Sequence, residues 1–112
     1  MPIQTYADSV AVQFQPGAER RVSFTDNLMM VVIDFNDGPR QGVVPPHSHP
    51  HEQISCVAAG EILVHMEGQA TRLGPGDFFI APSGVAHGID TLSPHARVID
   101  CFTPIREDFV PV

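Results

Sequence analysis

Turn-forming residues divide this chain into short apolar segments, and this division constrains its fold more than any other feature. The 112 residues include 9 glycines and 11 prolines, and no stretch shows the 3.6-residue apolar period of a helix. Segments rich in β-branched and apolar residues recur between the turns, which is typical of an all-β sandwich or barrel. The predicted strands cover residues 10–14, 20–24, 28–35, 54–66 (divided at Gly60), 69–73, 77–81, 86–90 and 96–103.

The length of the chain predicts one domain that spans residues 1–112. Residues 1–19 carry the weakest pattern and predict a loosely structured start or an edge strand. Residues 28–33 are apolar without alternation, which predicts a strand buried on both faces, either between sheets or in a subunit contact. A homodimer is therefore expected. Residues 104–112 predict one short helical turn or an extended tail.

Charge and cysteine content narrow the classes of partner. The net charge is -7, all six basic residues are arginines, and no basic stripe occurs, so neither nucleic acid nor an anionic membrane is an expected partner. The N-terminus lacks the pattern of a signal peptide and no apolar run is long enough to span a membrane, which predicts a cytoplasmic protein. Cys56 and Cys101 lie in apolar segments and are expected to be buried, reduced thiols.

Three of the six histidines fall within residues 47–51. Because residues i and i+2 of a strand share a face, His47 and His49 can chelate one ion. The side-chain oxygen of Gln53 can join them, and His87 must arrive from another strand. Three imidazoles and one oxygen suit a divalent first-row transition metal: Zn, Ni, Fe, Mn or Co. The alternative is a solvated, histidine-rich loop that responds to pH.

An acidic residue on the last predicted strand is a second candidate for chemistry. Asp100 shares a strand face with Val98 and Phe102, and a carboxyl between apolar neighbours near a metal suits a general acid or base. Arg106 follows the strand and can bind a carboxylate through two parallel hydrogen bonds. A salt bridge between Asp100 and Arg106 that merely closes the barrel is the alternative.

Residues 42–60 and 76–87 resemble the two motifs of the cupin superfamily. In the first motif, His-x-His is followed at fixed spacings by a fourth ligand and a glycine, and in the second a glycine precedes Pro-x-Gly and a histidine. The positions that match are His47, His49, Gln53, Gly60, Gly76, Pro82, Gly84 and His87. Gly42 lies one residue too close to His47, and Thr91 replaces an asparagine. The resemblance implies a small jelly roll, or double-stranded β-helix, with the metal inside the barrel.

Gln53 and the C-terminal residues are similar to one subgroup of small cupins, which linearise unsaturated uronates in pectin and alginate degradation. Glutamine stands where most cupins have glutamate, so the ion keeps its full charge and is a stronger Lewis acid. The resemblance implies an enzyme that converts a small anionic sugar acid, the 4,5-unsaturated uronate monomer, into open-chain 5-keto-4-deoxyuronate. It assigns metal binding to His47, His49, Gln53 and His87, and catalysis or substrate contact to Asp100, Phe102 and Arg106.

Two other functions remain open from the sequence: a cupin dioxygenase with redox-active iron, and a non-catalytic cupin that binds a small ligand. The cupin motif gives His51 no ligand role, so His51 and Glu52 are expected in a loop or behind the ligands. His65 is predicted on a strand surface and His95 in a loop, neither with a partner evident from the spacing.

Overall fold

The computed structural model describes residues 3–110, and within this range the chain forms ten strands and one short 3-10 helix. The bounds in chain order are β1 Ala11–Gln15, β2 Ala18–Phe24, β3 Met29–Phe35, β4 Val44–His47, β5 Glu52–Ala59, β6 Ile62–Met66, β7 Gln69–Leu73, β8 Phe78–Ala81, β9 His87–Thr91, β10 Ala96–Thr103 and the helix Glu107–Phe109. The predicted bounds of β7 and β10 agree with the structure, and the predicted helical turn in the tail is the 3-10 helix. No helix in the described part of the chain is long and apolar enough to cross a membrane.

The strands form two antiparallel sheets that face each other as a jelly roll, which confirms the predicted all-β class. The larger sheet has the order β1-β2-β3-β10-β5-β8, and the smaller one has the order β4-β9-β6-β7. Side chains along β10 alternate between the core and the outer face of the larger sheet. Ala96, Val98, Asp100 and Phe102 are buried, whereas the residues between them are more exposed. The core lies between the sheets, and one end of it is lined with polar groups.

The strand pattern of residues 54–66 is interrupted at Gly60, as predicted. Its φ of +72° is in the left-handed region, and a Cβ at this position would collide with the backbone oxygen of His95. Glycine is therefore required between β5 and β6. The break sends β5 into the larger sheet and β6 into the smaller one.

Of the two alternatives for residues 28–33, burial of both faces between sheets is wrong, and burial of the outer face in a subunit contact stays a prediction. Met29, Val31 and Ile33 face the core, but Met30 is 49% exposed and Leu28 is 54% exposed. β3 belongs to a sheet with one face on the core and the other uncovered in the single chain. An apolar run can therefore supply an outer surface as well as an interior.

The two cysteines are free, as predicted, but they are only partly buried. Cys56 lies opposite Ile99, and Cys101 lies opposite Ile54. Both therefore belong to the outer face of the larger sheet and not to the core between the sheets.

Candidate metal centre and cavity

The two sheets bring three distant histidines together. β4 ends at His47 and β9 begins at His87, and the two residues are direct partners in the antiparallel pairing. His49 follows in the loop after β4, and Gln53 lies near the start of β5. The ligand nitrogens of the three histidines all lie within 4.8 Å of one another, so these residues could hold a metal ion.

Backbone oxygens orient all three imidazoles in the same way. Each Nδ1 lies at hydrogen-bond distance from a carbonyl oxygen, which places the proton on Nδ1 and leaves the lone pair of Nε2 free. The pairs are His47 with Pro45 (3.1 Å), His49 with His51 (3.0 Å) and His87 with Val85 (3.0 Å). Hydrogen bonds to nearby backbone carbonyls therefore orient all three imidazoles before any ion binds.

The remaining lone pairs fit a cation. Nε2 of His87 is buried and has no hydrogen-bond partner. Nε2 of His49 lies 3.0 Å from Oε1 of Gln53, although both atoms are acceptors once Nδ1 carries the proton. Burial lowers the pKa of both His49 and His87, which favours the neutral form that binds metal. An ion between these atoms would satisfy all of them.

A chain of hydrogen bonds links this centre to Asp100. Nε2 of Gln53 donates to Oγ of Ser55 over 2.8 Å, and the Ser55 hydroxyl donates to Oδ1 of Asp100 over 2.6 Å. The first bond fixes the amide so that Oε1 faces the histidines. Ser55 is not evident as a site residue from the sequence alone. Its signal is the i+2 spacing from Gln53, together with the pairing of β5 with β10, which places Ser55 opposite Asp100.

Asp100 is buried and its charge is not neutralised by a direct ion pair. Burial raises its pKa to about 6, against the opposing influences of the Ser55 hydrogen bond and the Arg106 charge. The alternative of a salt bridge between Asp100 and Arg106 is wrong, because Arg106 pairs with Asp108 at 2.8 and 3.3 Å. Asp100 is therefore a carboxyl that can exist in either protonation state near neutral pH.

A largely apolar cavity of about 350 Å³ lies beside the histidines. Phe102 is buried in its wall, with its ring centroid 5.7 Å from that of His49 and 5.9 Å from that of Phe109. Both arginines that line the cavity lie beside the ring of Phe109, at 4.1 Å for Arg106 and 4.2 Å for Arg20. Of these residues, Arg20 and Phe109 were not predicted to belong to a site.

The predicted site residues meet around this cavity. Its lining includes His47, Gln53, His87, Asp100, Phe102 and Arg106. His49 is not part of the lining, but it belongs to the histidine cluster and contacts the side chain of Gln53. The structure therefore gathers every residue that the sequence indicated, and their individual roles remain predictions.

The other histidines lie outside this cluster. His51 packs near Phe102 at 6.5 Å between ring centroids, and Glu52 is exposed. His65 lies on β6 and His95 in a loop, as predicted. Each lies 2.8 Å from an aspartate oxygen, that of Asp90 and of Asp34 respectively. Both aspartates are distant in the sequence, so only the folded chain reveals these contacts.

Comparison with known proteins agrees with this architecture. The model of the family described as "Cupin domain" matches residues 34–101. The pectin degradation protein KdgF of Dickeya dadantii is 38% identical over 96 residues, which cover 84% of each chain. The structure of KdgF from Halomonas sp. superposes with a TM-score of 0.86 at 37% identity, covering 95% of this chain and 96% of that one. An RmlC-like cupin from Shewanella frigidimarina gives a TM-score of 0.88 at 32% identity, covering 98% and 96%.

Proposed function

Because this chain belongs to the cupin family, and to the same part of it as KdgF, we propose that it linearises 4,5-unsaturated uronate monomers. The product is the open-chain 5-keto-4-deoxyuronate. One observation carries the proposal beyond the family: a single cavity is lined by three of the four candidate metal ligands, a proton-exchanging aspartate, an aromatic wall and two arginines. These groups match an anionic sugar ring that must open and move one proton.

The reaction is an isomerisation that balances with a single proton. The C1 hydroxyl loses its proton, C1 becomes a carbonyl, and the bond between C1 and the ring oxygen breaks. The released oxygen is attached to C5 of the C4–C5 double bond, so it leaves as an enol oxygen. Protonation of C4 then gives the C5 ketone. No oxidant or reductant takes part.

Asp100 is the group that we assign to this proton. Its Oδ1 accepts the hydrogen bond from Ser55, which leaves Oδ2 to accept the C1 proton and later deliver a proton to C4. A pKa of about 6 suits both tasks, because the carboxylate is basic enough to take the proton and its acid form is strong enough to return it. The apolar lining limits exchange of that proton with water.

The histidines and Gln53 would hold a divalent metal whose chemistry is that of a Lewis acid towards the departing ring oxygen and the carboxylate. Zn, Ni, Fe, Mn and Co all fit three imidazoles and one oxygen. Gln53 adds no charge to the centre. Its amide donates to Ser55, which a glutamate in the same place cannot do.

Arg106 and Phe102 orient the substrate in this proposal. Asp108 occupies the Nε and Nη2 side of the Arg106 guanidinium, which holds the group in place and leaves its Nη1 end for the substrate carboxylate. Phe102 offers a flat apolar surface for one face of the sugar. The proposed substrates include monomers from both pectin and alginate, because both carry the carboxylate, the ring oxygen, the C1 hydroxyl and the C4–C5 double bond on which the reaction depends.

The proposal includes a homodimer in the cytoplasm, with one cupin domain per chain. Two adjacent rows of apolar side chains cross the outer face of the larger sheet, from β3 through β10 and β5 to β8. The rows are Met30, Cys101, Ile54 and Ile80, and Val32, Ile99, Cys56 and Phe78. Ile54, Phe78 and Ile80 are each more than half exposed. A second copy that buries the same face would remove this patch from water.

The position of the transferred proton tests the reaction. In D2O, the metal-loaded protein should convert the unsaturated monomer into the open-chain ketone with deuterium at C4, as followed by nuclear magnetic resonance. The control is the monomer without protein, which reports the spontaneous reaction. A product that contains oxygen from O2 would instead support the dioxygenase, and binding without conversion would support the non-catalytic cupin.

A further inference from the structure

Arg20 occupies an inward position on β2, which is unexpected for an arginine. Ala18 and Val22 are buried at 2% and 7% exposure, and Arg20 lies between them with the same parity. Its pairing partner on β3 is Ile33, which also lines the cavity. Arginine is rarely placed on the interior face of a strand unless its charge has a partner.

No carboxylate in residues 3–110 forms an ion pair with Arg20, whereas Arg21, Arg72, Arg97 and Arg106 each have one. The Nε of Arg20 is buried and makes no hydrogen bond. Its guanidinium lies against aromatic rings, 4.2 Å from the centroid of Phe109 and 5.2 Å from that of Phe14. Burial lowers the pKa of Arg20, so an anion in the cavity would stabilise it.

The second arginine of the cavity lies against the same ring. The Arg106 guanidinium is 4.1 Å from the centroid of Phe109, so β2 and the C-terminal tail bring two cations to one aromatic side chain. Asp108 forms its ion pair with Arg106, although its charge also acts on Arg20 and opposes the lowering of the Arg20 pKa by burial. One carboxylate, that of Asp108, therefore serves two guanidinium groups beside a largely apolar cavity, whose lining contains a single acidic residue, Asp100.

We propose that Arg20 is a second anion-binding residue of the cavity, which contacts the substrate carboxylate together with Arg106 and selects uronic acids over neutral sugars. The inference rests on the proposed function for the identity of the anion. A carboxylate between the two guanidinium groups accepts hydrogen bonds from both and offsets the charge of Arg20, which has no ion pair of its own. It also turns the substrate so that its ring oxygen faces the histidine cluster.

The experiment separates anion binding from turnover. Galacturonate carries the carboxylate but lacks the C4–C5 double bond, and galactose is its neutral counterpart. Their affinities are measured by calorimetry for the metal-loaded wild type, Arg20→Gln and Arg20→Lys. Arg72→Gln is the matched control, because it changes the net charge equally but lies on β7, where its partner is Glu61. Melting temperatures report whether each variant is folded.

Wild type and Arg72→Gln should bind galacturonate equally and at least about tenfold more tightly than galactose. Arg20→Gln should lose about 10- to 100-fold in affinity for galacturonate and little for galactose, and Arg20→Lys should recover part of the loss. On the unsaturated monomer, the KM of Arg20→Gln should rise more than its kcat falls.

Three results would overturn the inference: no binding of galacturonate by wild type, equal binding by wild type and Arg20→Gln, or an equal loss for galactose. Its failure can be told apart from failure of the proposed function. Binding that depends on Arg20 without any turnover would refute the reaction and keep the anion site. Turnover that is unchanged in Arg20→Gln would keep the reaction and refute the anion site.

Discussion

Oγ of Ser55 donates a 2.6 Å hydrogen bond to Oδ1 of Asp100 and accepts a 2.8 Å hydrogen bond from the side-chain amide of Gln53. Ser55 thus joins a candidate metal ligand to the candidate proton carrier. The hydroxyl has one proton to give, and the amide of Gln53 leaves that proton for Asp100. The position of the ligand and the state of the carboxyl are therefore coupled through one side chain.

Ser55→Ala should remove the coupling between the position of Gln53 and the protonation of Asp100. Gln53 and Asp100 each lose a partner in a buried place, and the pKa of Asp100 should rise because the Ser55 hydrogen bond lowers it. We expect metal affinity to fall about tenfold and the acidic limb of the pH profile of kcat/KM to move to higher pH. Ser23→Ala, an exposed change on β2, is the control; an identical profile for both variants would contradict the coupling.

Gln53→Glu should keep the metal and lose activity. A glutamate is a stronger ligand, but it cannot donate to Ser55, so it competes with Asp100 for the single hydroxyl proton. The added negative charge also weakens the Lewis acid and raises the pKa of Asp100 further. We expect full metal content by elemental analysis and a kcat lower by about 10- to 100-fold. Unchanged kcat with full metal would show that the neutral ligand is incidental.

Asp100→Asn should stabilise the metal-free protein at high pH. The pKa of Asp100 is raised from 3.8 to about 6 in the folded state, so folding favours its protonated form. The protonated carboxyl therefore contributes to the free energy of unfolding in full below pH 3.8. That contribution is lost as the pH rises through 6, which lowers the free energy of unfolding by about 3 kcal/mol. Asparagine cannot ionise and avoids the cost.

Denaturation of both proteins in the presence of a chelator measures this effect. The difference in unfolding free energy between Asp100→Asn and wild type should grow by about 2.5 kcal/mol between about pH 4 and about pH 8. All other titrating groups are shared and largely cancel in the difference. A difference that does not change with pH would mean that Asp100 is ionised at no cost in the folded chain.

Ile54→Arg should convert the proposed dimer to a monomer. Ile54 is 51% exposed at the centre of the apolar face, between Cys101 and Ile80, and a charge there would be buried in the interface without a partner. Light scattering after gel filtration should give half the mass of wild type. Ala70→Arg, on an exposed strand of the smaller sheet, should leave the mass unchanged. A dimeric Ile54→Arg would exclude this face as the interface.

The sequence predicts local features of this protein better than those that depend on register between strands. β7 and β10 are bounded by turn residues that lie next to them in the chain, so their limits could be predicted. His47 and His49 share a short motif, and His87 has its own. Ser55 and Arg20, by contrast, matter because of what lies opposite them: Asp100 on β10 and the cavity beside Ile33.

Some contacts of the folded chain were not predicted, and one of them is local. Arg106 pairs with Asp108, two positions away. Asp100 instead accepts a hydrogen bond from Ser55, which lies opposite it on β5. His65 and His95 find their aspartates only through sheet pairing and loop packing. The apolar run in β3 could not reveal whether its outer face meets another sheet or a second copy, because both bury the same residues.

The rate of chromophore loss measures the proposed ring opening itself. The C4–C5 double bond of the unsaturated monomer absorbs in the ultraviolet, and its disappearance is followed with metal-loaded protein in oxygen-free buffer. Wild type should accelerate the loss over the spontaneous reaction, and Asp100→Asn should retain its metal while losing about 10²- to 10⁴-fold of that acceleration. A wild-type rate equal to the spontaneous rate would contradict the account.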